Sequence, residues 1–148
     1  MMDDDLKRFR REHLGRLLHG LHGDFAARTM KRHPTVKLAH LQVFATLPLE
    51  GARLTTLAER AGITKQSMGA LVSELEGLGI LERGPDPDDG RATRIRFSKK
   101  GLRLLGRAKT AADEVEALYA EKLGAKRYAR MKKDLADLVR ALDIEIPA

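Results

Sequence analysis

The sequence predicts a mainly α-helical fold that carries one small β element. Apolar residues recur three or four positions apart over most of the chain, which is the spacing of an amphipathic helix. Only 4% of the residues are aromatic, so the core must be built from aliphatic residues, a composition that favours helices. The alternation typical of a strand occurs over residues 93–97. A chain of 148 residues is long enough to form one domain with its own core.

A long first helix is predicted over residues 3–33. Three aspartates at its start, and Lys31 and Arg32 near its end, suit the two poles of the helix dipole, and Pro34 ends it. Its apolar stripe consists of Leu6, Phe9, His13, Leu17, Leu21, Phe25 and Met30. A second, largely apolar helix is predicted over residues 35–47.

Two short helices joined by a tight turn are predicted next. Thr56 and Glu59 have the spacing of a capping box, so the first of these helices should begin at Thr56 and end at Ala61. Gly62 can adopt the left-handed conformation that ends a helix, and Thr64 is a suitable N-cap for the following one. The buried stripe of that following helix is predicted to be Met68, Leu71, Val72, Leu75 and Leu78.

Two short strands, in the segments ILER and ATRIRF, are predicted after Gly79. In the second strand, three apolar or β-branched residues alternate with Arg94 and Arg96, so one face should pack inward while the other presents guanidinium groups. Two further helices are predicted after Ser98. Their apolar stripes consist of Leu102, Leu105, Ala112, Val115 and Tyr119, and of Tyr128, Met131, Leu135, Leu138 and Leu142.

The charge balance indicates a polyanionic partner. Lys and Arg number 28 against 21 for Asp and Glu, and the segment from Arg91 to Lys109 holds eight basic residues and no acidic one. The chain has no cysteine, which excludes disulfides, thiolate zinc sites and thiol nucleophiles. Neither a signal-peptide core nor a run of 18 apolar residues occurs in it, so a soluble, cytoplasmic protein is predicted.

The order helix, tight turn, helix and two-stranded ribbon is that of a winged helix-turn-helix, in which the ribbon is a β-wing. Such a fold can place the N-terminus of its second helix in the major groove of double-stranded DNA. Gln66 could pair with adenine and Lys65 with guanine or a phosphate, while Thr64 and Ser67 are tolerant donors or acceptors. Gly69 would let the helix approach the DNA closely, and Arg94 and Arg96 would face phosphates.

The segment LTTLAERAGITKQSMGALVSELEGLGILERGPDPDDGRATRIRFSKKG resembles the MarR family of bacterial transcription regulators. The resemblance implies that Arg91 enters the minor groove at the wing tip while Asp89, two residues earlier, supports it. It also implies a homodimeric repressor bound to a pseudo-palindromic operator. Residues 35–99 would form the DNA-binding region, and residues 1–34 and 100–148 would supply the dimerisation helices. The family often has arginine where this chain has Ala70 and Gly90.

Members of the family commonly release DNA when a small ligand binds between the dimerisation and DNA-binding parts. The candidate lining here is Leu21, Phe25, Met30, Val36 and Leu41, with His13, His22 and His40 as polar residues. Ordinary core packing explains the same stripe, so the sequence assigns neither a ligand nor a cofactor.

Other classes of function have weaker support in the sequence. His19 and His22 have a helical spacing that suits a metal, but no third ligand lies near them in sequence, and no metal site is predicted. Phosphate-binding glycine loops and nucleophile elbows are absent, so the chain is predicted not to be an enzyme. Nonspecific architectural DNA binding, and use of the winged helix as a protein-interaction module, remain as alternatives.

Overall fold

The computed structural model describes residues 2–148, which fold into seven α-helices, one 3₁₀ turn and one two-stranded antiparallel sheet. The mainly helical fold with a small β-wing is therefore confirmed. The helices are α1 (Met2–Glu12), α2 (Leu14–Met30), α3 (Leu41–Thr46), α4 (Leu54–Ala61), α5 (Lys65–Gly77), α6 (Lys99–Leu123) and α7 (Ala125–Ala141). The strands are β1 (Leu81–Pro85) and β2 (Thr93–Phe97), and the 3₁₀ turn is Leu38–His40. Across residues 2–148, no helix is both long enough and apolar enough to cross a lipid bilayer.

The helix pair α4–α5 has the local geometry that the sequence predicts. Gly62 has φ 65° and ends α4 in the left-handed conformation, and Ala58, where the two helices meet, is buried. The hydroxyl of Thr64 accepts a hydrogen bond from the backbone N–H of Ser67, as an N-cap does. Fully buried Leu57 and Met68 join these helices to the rest of the core. This core fixes the direction in which α5 projects.

The wing is anchored to the same core by its second strand. Leu81 of β1 pairs with Phe97 of β2, and a β-bridge joins Ile95 to Ala52, just before α4. Ile95 and Phe97 are buried, whereas Thr93, nearer the tip, is exposed. The root of the wing is thus rigidly attached, while its tip extends into solvent.

The long first helix predicted over residues 3–33 is wrong, because the chain breaks at His13. The backbone there is extended (φ −71°, ψ 147°), so that α1 ends and α2 begins around this residue. The His13 ring stacks on Phe9 with 4.4 Å between ring centroids. It occupies space beside Gly15, where a Cβ would lie 3.3 Å from the ring. The absence of a side chain at Gly15 therefore accommodates the break.

Two other predicted helix starts are also wrong. The segment predicted as helix from residue 35 becomes helical only at Leu38, because the backbone of Lys37 just before it is extended. The capping box at Thr56 does not form, since α4 already begins at Leu54. The β-bridge at Ala52 leaves the next residue extended as the N-cap, and the helix follows directly from it.

The terminal helices leave many large apolar side chains in solvent. Helix α6 is 25 residues long and packs against both α2 and α7, but one chain does not cover the outer faces of these helices. The exposed side chains on α1, α2 and α7 and the segment after them include Leu6, Phe9, Leu14, Leu17, Leu18, Leu21, Leu135, Leu138, Leu142, Ile144 and Ile146. These exposed apolar side chains are more numerous than the few scattered ones that are normal on a monomer surface.

Candidate nucleic-acid interface

The N-terminus of α5 presents the predicted reading residues to solvent. Lys65, Gln66 and Ser67 are exposed, and the Thr64 and Ser67 hydroxyls lie 2.8 Å apart in a hydrogen bond. Gly69 is half-buried, and a Cβ added there would lie 3.6 Å from a methyl group of Leu54, an ordinary contact. Packing inside the protein therefore does not require glycine at this position.

The tip of the wing is a hydrogen-bonded turn centred on Asp89. Its Oδ1 accepts a hydrogen bond of 3.0 Å from the backbone N–H of Arg91, and its carbonyl accepts one of 2.9 Å from Ala92. The Arg91 side chain is exposed, and no acidic partner lies within salt-bridge distance of it in residues 2–148. Asp89 thus orders the backbone that carries a free guanidinium group.

Asp86 is a buried carboxylate that directly follows β1, at the tip end of the strand pair, and the sequence did not single it out. It is only 2% exposed, and its Oδ2 accepts a 2.7 Å hydrogen bond from Arg53 Nε. The backbone N–H of Asp88 donates to its Oδ1 at 2.8 Å. The Arg53 hydrogen bond, followed by that of Asp88, lowers the pKa of Asp86 from 3.8 to about 2. No local pattern reveals this pair, because its members are 33 residues apart.

Arg94 and Arg96 of β2 lie against the segment from Pro85 to Asp88, where the wing loop begins. The Arg94 side chain is 19% exposed and lies 3.6 Å from Asp86 and 3.4 Å from Asp88. Arg96 Nη2 donates to the carbonyl of Pro85 at 3.3 Å. In the described part of the chain, the Nε atoms of both arginines are buried without a hydrogen-bond partner. Both side chains are therefore less available to an external phosphate than Arg91 is.

The wing and the start of α5 line one groove. It has a volume of about 330 Å³, and its walls come from α4, α5 and both strands. Lys65 stands on one side, with Ala92 and Thr93 on the other. Arg53 and Arg83 also line the groove, but they are paired with Asp86 and Glu76. A polyanion that contacts the α5 N-terminus therefore also meets the wing.

The basic segment recognised in the sequence divides between two surfaces. Its first part, up to Arg96, belongs to the wing, whereas the remainder lies on α6. Helix α6 begins at the opposite end of α5, where Lys100 Nζ donates to the carbonyl of Leu78 and Ser98 Oγ to that of Gly79. A helix of 13 residues separates that point from the α5 N-terminus by about 18 Å.

An apolar cavity of about 120 Å³ lies between α2, α3 and α6. Its lining is Thr29, Met30, His33, Val36, Leu41, Phe44, Leu104, Leu105 and Ala108. Of the residues predicted to line a ligand pocket, Met30, Val36 and Leu41 do so. Those that do not are Leu21, Phe25, His13, His22 and His40. Leu21 and Phe25 lie earlier on α2 than the cavity, and Phe25 instead packs beside Tyr119 of α6, with 6.3 Å between ring centroids.

His33, which the sequence did not single out, is the polar member of the cavity wall. Within residues 2–148 its Nε2 atom is buried and has no hydrogen-bond partner. Burial lowers the pKa of His33, and the positive charges of Arg107 and Arg32 lower it further. His33 therefore lines the apolar cavity with an imidazole that favours its neutral form.

His40 connects the wall of this cavity to α5. It is 1% exposed, and its Nδ1 accepts a 3.0 Å hydrogen bond from the Lys37 backbone N–H. Its Nε2 therefore carries the proton and donates to Glu74 of α5 at 2.8 Å. The hydrogen bond from His40, followed by that from Lys37, lowers the pKa of Glu74. His40 is thus a structural link and not a lining residue.

His19 and His22 are both exposed on α2. No group of three or more histidine or acidic side chains in residues 2–148 is arranged to hold a metal ion.

Thr64 caps α5 and is also predicted to contact DNA. A comparison with the cap of α6 separates these two roles. Thr64→Ala should lower the free energy of unfolding by about 1 kcal/mol, because the Ser67 N–H loses its acceptor. Ser98→Ala is the matched control, since it removes the equivalent cap of α6, at the far end of α5. Denaturant unfolding should show a loss in both variants. Titration with DNA should show weaker binding for Thr64→Ala alone, and equal DNA affinities would contradict a contact by Thr64.

Comparisons with known proteins agree with this architecture. Residues 35–92 match the model of the MarR family. An uncharacterized HTH-type transcriptional regulator of Mycobacterium bovis is 33% identical over 123 residues, which cover 78% of this chain and 82% of that protein.

Two solved structures of the transcriptional repressor CouR have the same fold. One, bound to a 23-mer DNA duplex, superposes with a TM-score of 0.63 at 24% identity and covers 86% of this chain and 92% of that chain. The other, from Rhodococcus jostii RHA1 and bound to p-coumaroyl-CoA, has a TM-score of 0.63 at 27% identity, with the same two coverages.

Proposed function

The chain belongs to the MarR family of HTH-type transcriptional regulators, and we propose that it is a homodimeric repressor of a specific operator. The observation that carries this proposal is the common groove lined by the start of α5 and by the wing, beside a free Arg91. In this proposal residues 35–99 bind DNA, while residues 1–34 and 100–148 hold the two protomers together.

Recognition would use both grooves of the duplex. The α5 N-terminus enters the major groove, where Gln66 and Lys65 can reach base edges. The wing then follows the backbone to the neighbouring minor groove, whose negative potential attracts the Arg91 guanidinium group. Arg94 and Arg96, held by Asp88 and by the Pro85 carbonyl, would contact phosphates with the edges that remain accessible.

The exposed apolar side chains of α1, α2 and α7 support dimerisation. A second copy would bury them in a two-fold interface, in which the same patch serves both protomers. Two α5 helices related in this way can occupy successive major grooves, roughly 34 Å apart, on a pseudo-palindromic site.

The apolar cavity is the proposed site of a small-molecule effector. It lies between α2 and α6 on one side and α3 on the other, so an occupant would press on both parts of the protomer. The contact from His40 to Glu74 offers a route by which movement of the α3 side could shift α5. CouR, with the same fold, has been solved with p-coumaroyl-CoA, which supports effector binding by this chain.

A genomic pull-down with the purified full chain tests the proposed function. We expect enrichment of one short palindromic sequence, and transcription in vitro from a promoter that contains it should fall when the protein is added. Uniform coverage of the genome would overturn the proposal and favour nonspecific architectural binding.

Operator affinity should depend strongly on salt concentration. The logarithm of the binding constant should fall linearly with the logarithm of salt concentration, with a slope of about −0.9 for each phosphate contacted. Fluorescence anisotropy with a labelled operator, measured at several salt concentrations, gives this slope. A flat response would contradict phosphate contact by the wing and by α5.

A further inference from the structure

Helix α7 runs back along α6 toward the winged helix-turn-helix. Its Tyr128 and Lys132 both donate to the carboxylate of Glu116, in the C-terminal half of α6. The two helices therefore form an antiparallel hairpin about Gly124, which has φ 94°. With 17 residues, α7 retraces about 25 Å of the roughly 37 Å length of α6, so its C-terminal end returns close to the DNA-binding part.

The chain turns sharply at the end of α7 and leaves the helix axis. Among residues 2–148, Asp143 is the non-glycine residue with a positive φ, which is 52°. Aspartate adopts this conformation at a lower cost than most residues with a side chain. The Ile144 N–H donates to the Val139 carbonyl at 3.1 Å, the bond that closes a helix in the Schellman motif. The turn directs residues 144–148, which we call the tail strap, toward the DNA-binding part.

The tail strap is bonded at two points to the corner between α3 and α4. Arg60, in the last turn of α4, donates from Nη2 to Glu145 Oε1 at 2.5 Å. Its Nη1 also donates to the Thr46 carbonyl, at the end of α3, at 3.3 Å. The Leu49 N–H, between α3 and α4, donates to the Ala148 carbonyl at 2.8 Å. The strap thus holds a part of the chain that lies 85 residues or more away in sequence.

The ion pair of Glu145 differs in reach from the local ion pairs of α7. Lys133 and Asp137, for example, are one turn apart on the same helix, so their contact supports the helix alone. Glu145 lies beyond the end of α7 and is paired with a residue of the DNA-binding part. The strap therefore connects α7 to that part a second time, beside the covalent connection through α6.

We propose that the tail strap fixes the angle between α7 and the winged helix-turn-helix, so that Arg60 and Glu145 are positioning residues for the spacing of the two operator half-sites. The inference rests on the proposed homodimeric repressor and adds how its half-site spacing is set. One extra base pair moves the half-sites apart by about 3.4 Å and rotates them by roughly 34°. A dimer whose two α5 helices are held at a fixed separation binds such an operator poorly, whereas a loosely held pair follows the change at little cost.

Operators with altered half-site spacing test the proposal by fluorescence anisotropy. The full chain should bind its operator about tenfold or more tightly than versions lengthened or shortened by one base pair. Glu145→Gln should reduce this preference about threefold, because exposed ion pairs contribute modestly and the dimer has two of these. Removal of residues 144–148 should reduce it roughly tenfold, since the Leu49 hydrogen bond is lost as well.

Asp113→Asn is the matched control for Glu145→Gln. It breaks a similarly exposed ion pair, with Lys109, that lies within α6, so it should keep the spacing preference of the wild type. Glu145→Gln also leaves Ile144 and Ile146 in place, so a loss of preference in this variant does not come from lost apolar surface. A wild type without a spacing preference, or strap variants that keep it, would overturn the inference.

A double-mutant cycle shows whether Arg60 and Glu145 act as a pair. Arg60→Gln, Glu145→Gln and the double variant should all lose the spacing preference to the same extent, because each removes the same contact. A merely structural role of Arg60 would lower the midpoint of thermal unfolding and leave the spacing preference unchanged. That result, or additive losses in the double variant, would contradict the pairing.

A distance measurement in the free protein separates this inference from the proposed function. Because the chain has no cysteine, Glu82→Cys/Lys126→Cys places spin labels at two exposed positions, one on β1 and one on α7. Mixing with excess unlabelled chain restricts the signal to distances within one protomer. Pulsed electron–electron double resonance should show a distribution that broadens in Glu145→Gln and broadens further without residues 144–148.

The two kinds of measurement fail independently. If the protein binds no operator but the distance distribution broadens as described, the repressor proposal fails while the strap stands. If the operator is bound and the distribution is the same in all variants, the strap is refuted and the repressor proposal stands.

Discussion

Replacing Arg91 with alanine is expected to weaken operator binding by about 1–3 kcal/mol, or roughly 5- to 150-fold. The side chain is exposed at the wing tip and has no acidic partner in residues 2–148, so DNA binding breaks no ion pair. The turn that carries it is held by Asp89 and does not depend on the arginine side chain. Fluorescence anisotropy with the operator measures the loss, and thermal unfolding should be unchanged.

Two further variants show which property of Arg91 matters. Arg91→Lys keeps the positive charge but loses the planar guanidinium group, so an intermediate affinity indicates insertion into a narrow groove. Arg103→Ala removes the same charge from an exposed position on α6 and should leave operator affinity unchanged. An Arg91→Ala variant that binds as tightly as the wild type would refute the role of the wing tip.

Signals that act over a few residues account for the features that the sequence predicted well. Gly62 ends α4 and Thr64 caps α5, because each acts through its own backbone or through a neighbour three residues away. The alternation at Ile95 and Phe97 likewise places β2 against the core. These features were enough to predict the helix-turn-helix and its wing.

The features that the sequence missed depend on contacts between distant parts of the chain. The partner of Asp86 is Arg53, and the partner of His40 is Glu74, each more than 30 residues away. The start of α4 is set by a bridge to Ile95, which overrides the local capping signal. Sequence periodicity carries no information about such pairings, so the contacts of Asp86 and His40 required a structure.

The second large effect is expected at the buried carboxylate that follows β1. Asp86→Asn should weaken operator binding by about tenfold or more, comparable to Arg91→Ala. The amide keeps the shape of the side chain but not the charge that Arg53 and Arg94 share. These guanidinium groups would then lie beside a neutral residue, and the loop of the wing should loosen. Asp113→Asn is the matched control, because it removes an exposed carboxylate paired with Lys109 and should change neither affinity nor stability.

The pH dependence of unfolding tests the same contact without DNA. The folded protein lowers the pKa of Asp86 from 3.8 to about 2, so the unfolded chain takes up its proton first as the pH falls. The stabilisation is therefore fully present above pH 4 and is lost progressively between about pH 4 and pH 2. Denaturant unfolding at a series of pH values should give a larger free energy of unfolding for the wild type than for Asp86→Asn at pH 7. The two values should converge between about pH 4 and pH 2. A difference that stays constant down to pH 2, or an Asp86→Asn variant with wild-type operator affinity, would show that the wing does not depend on this ion pair.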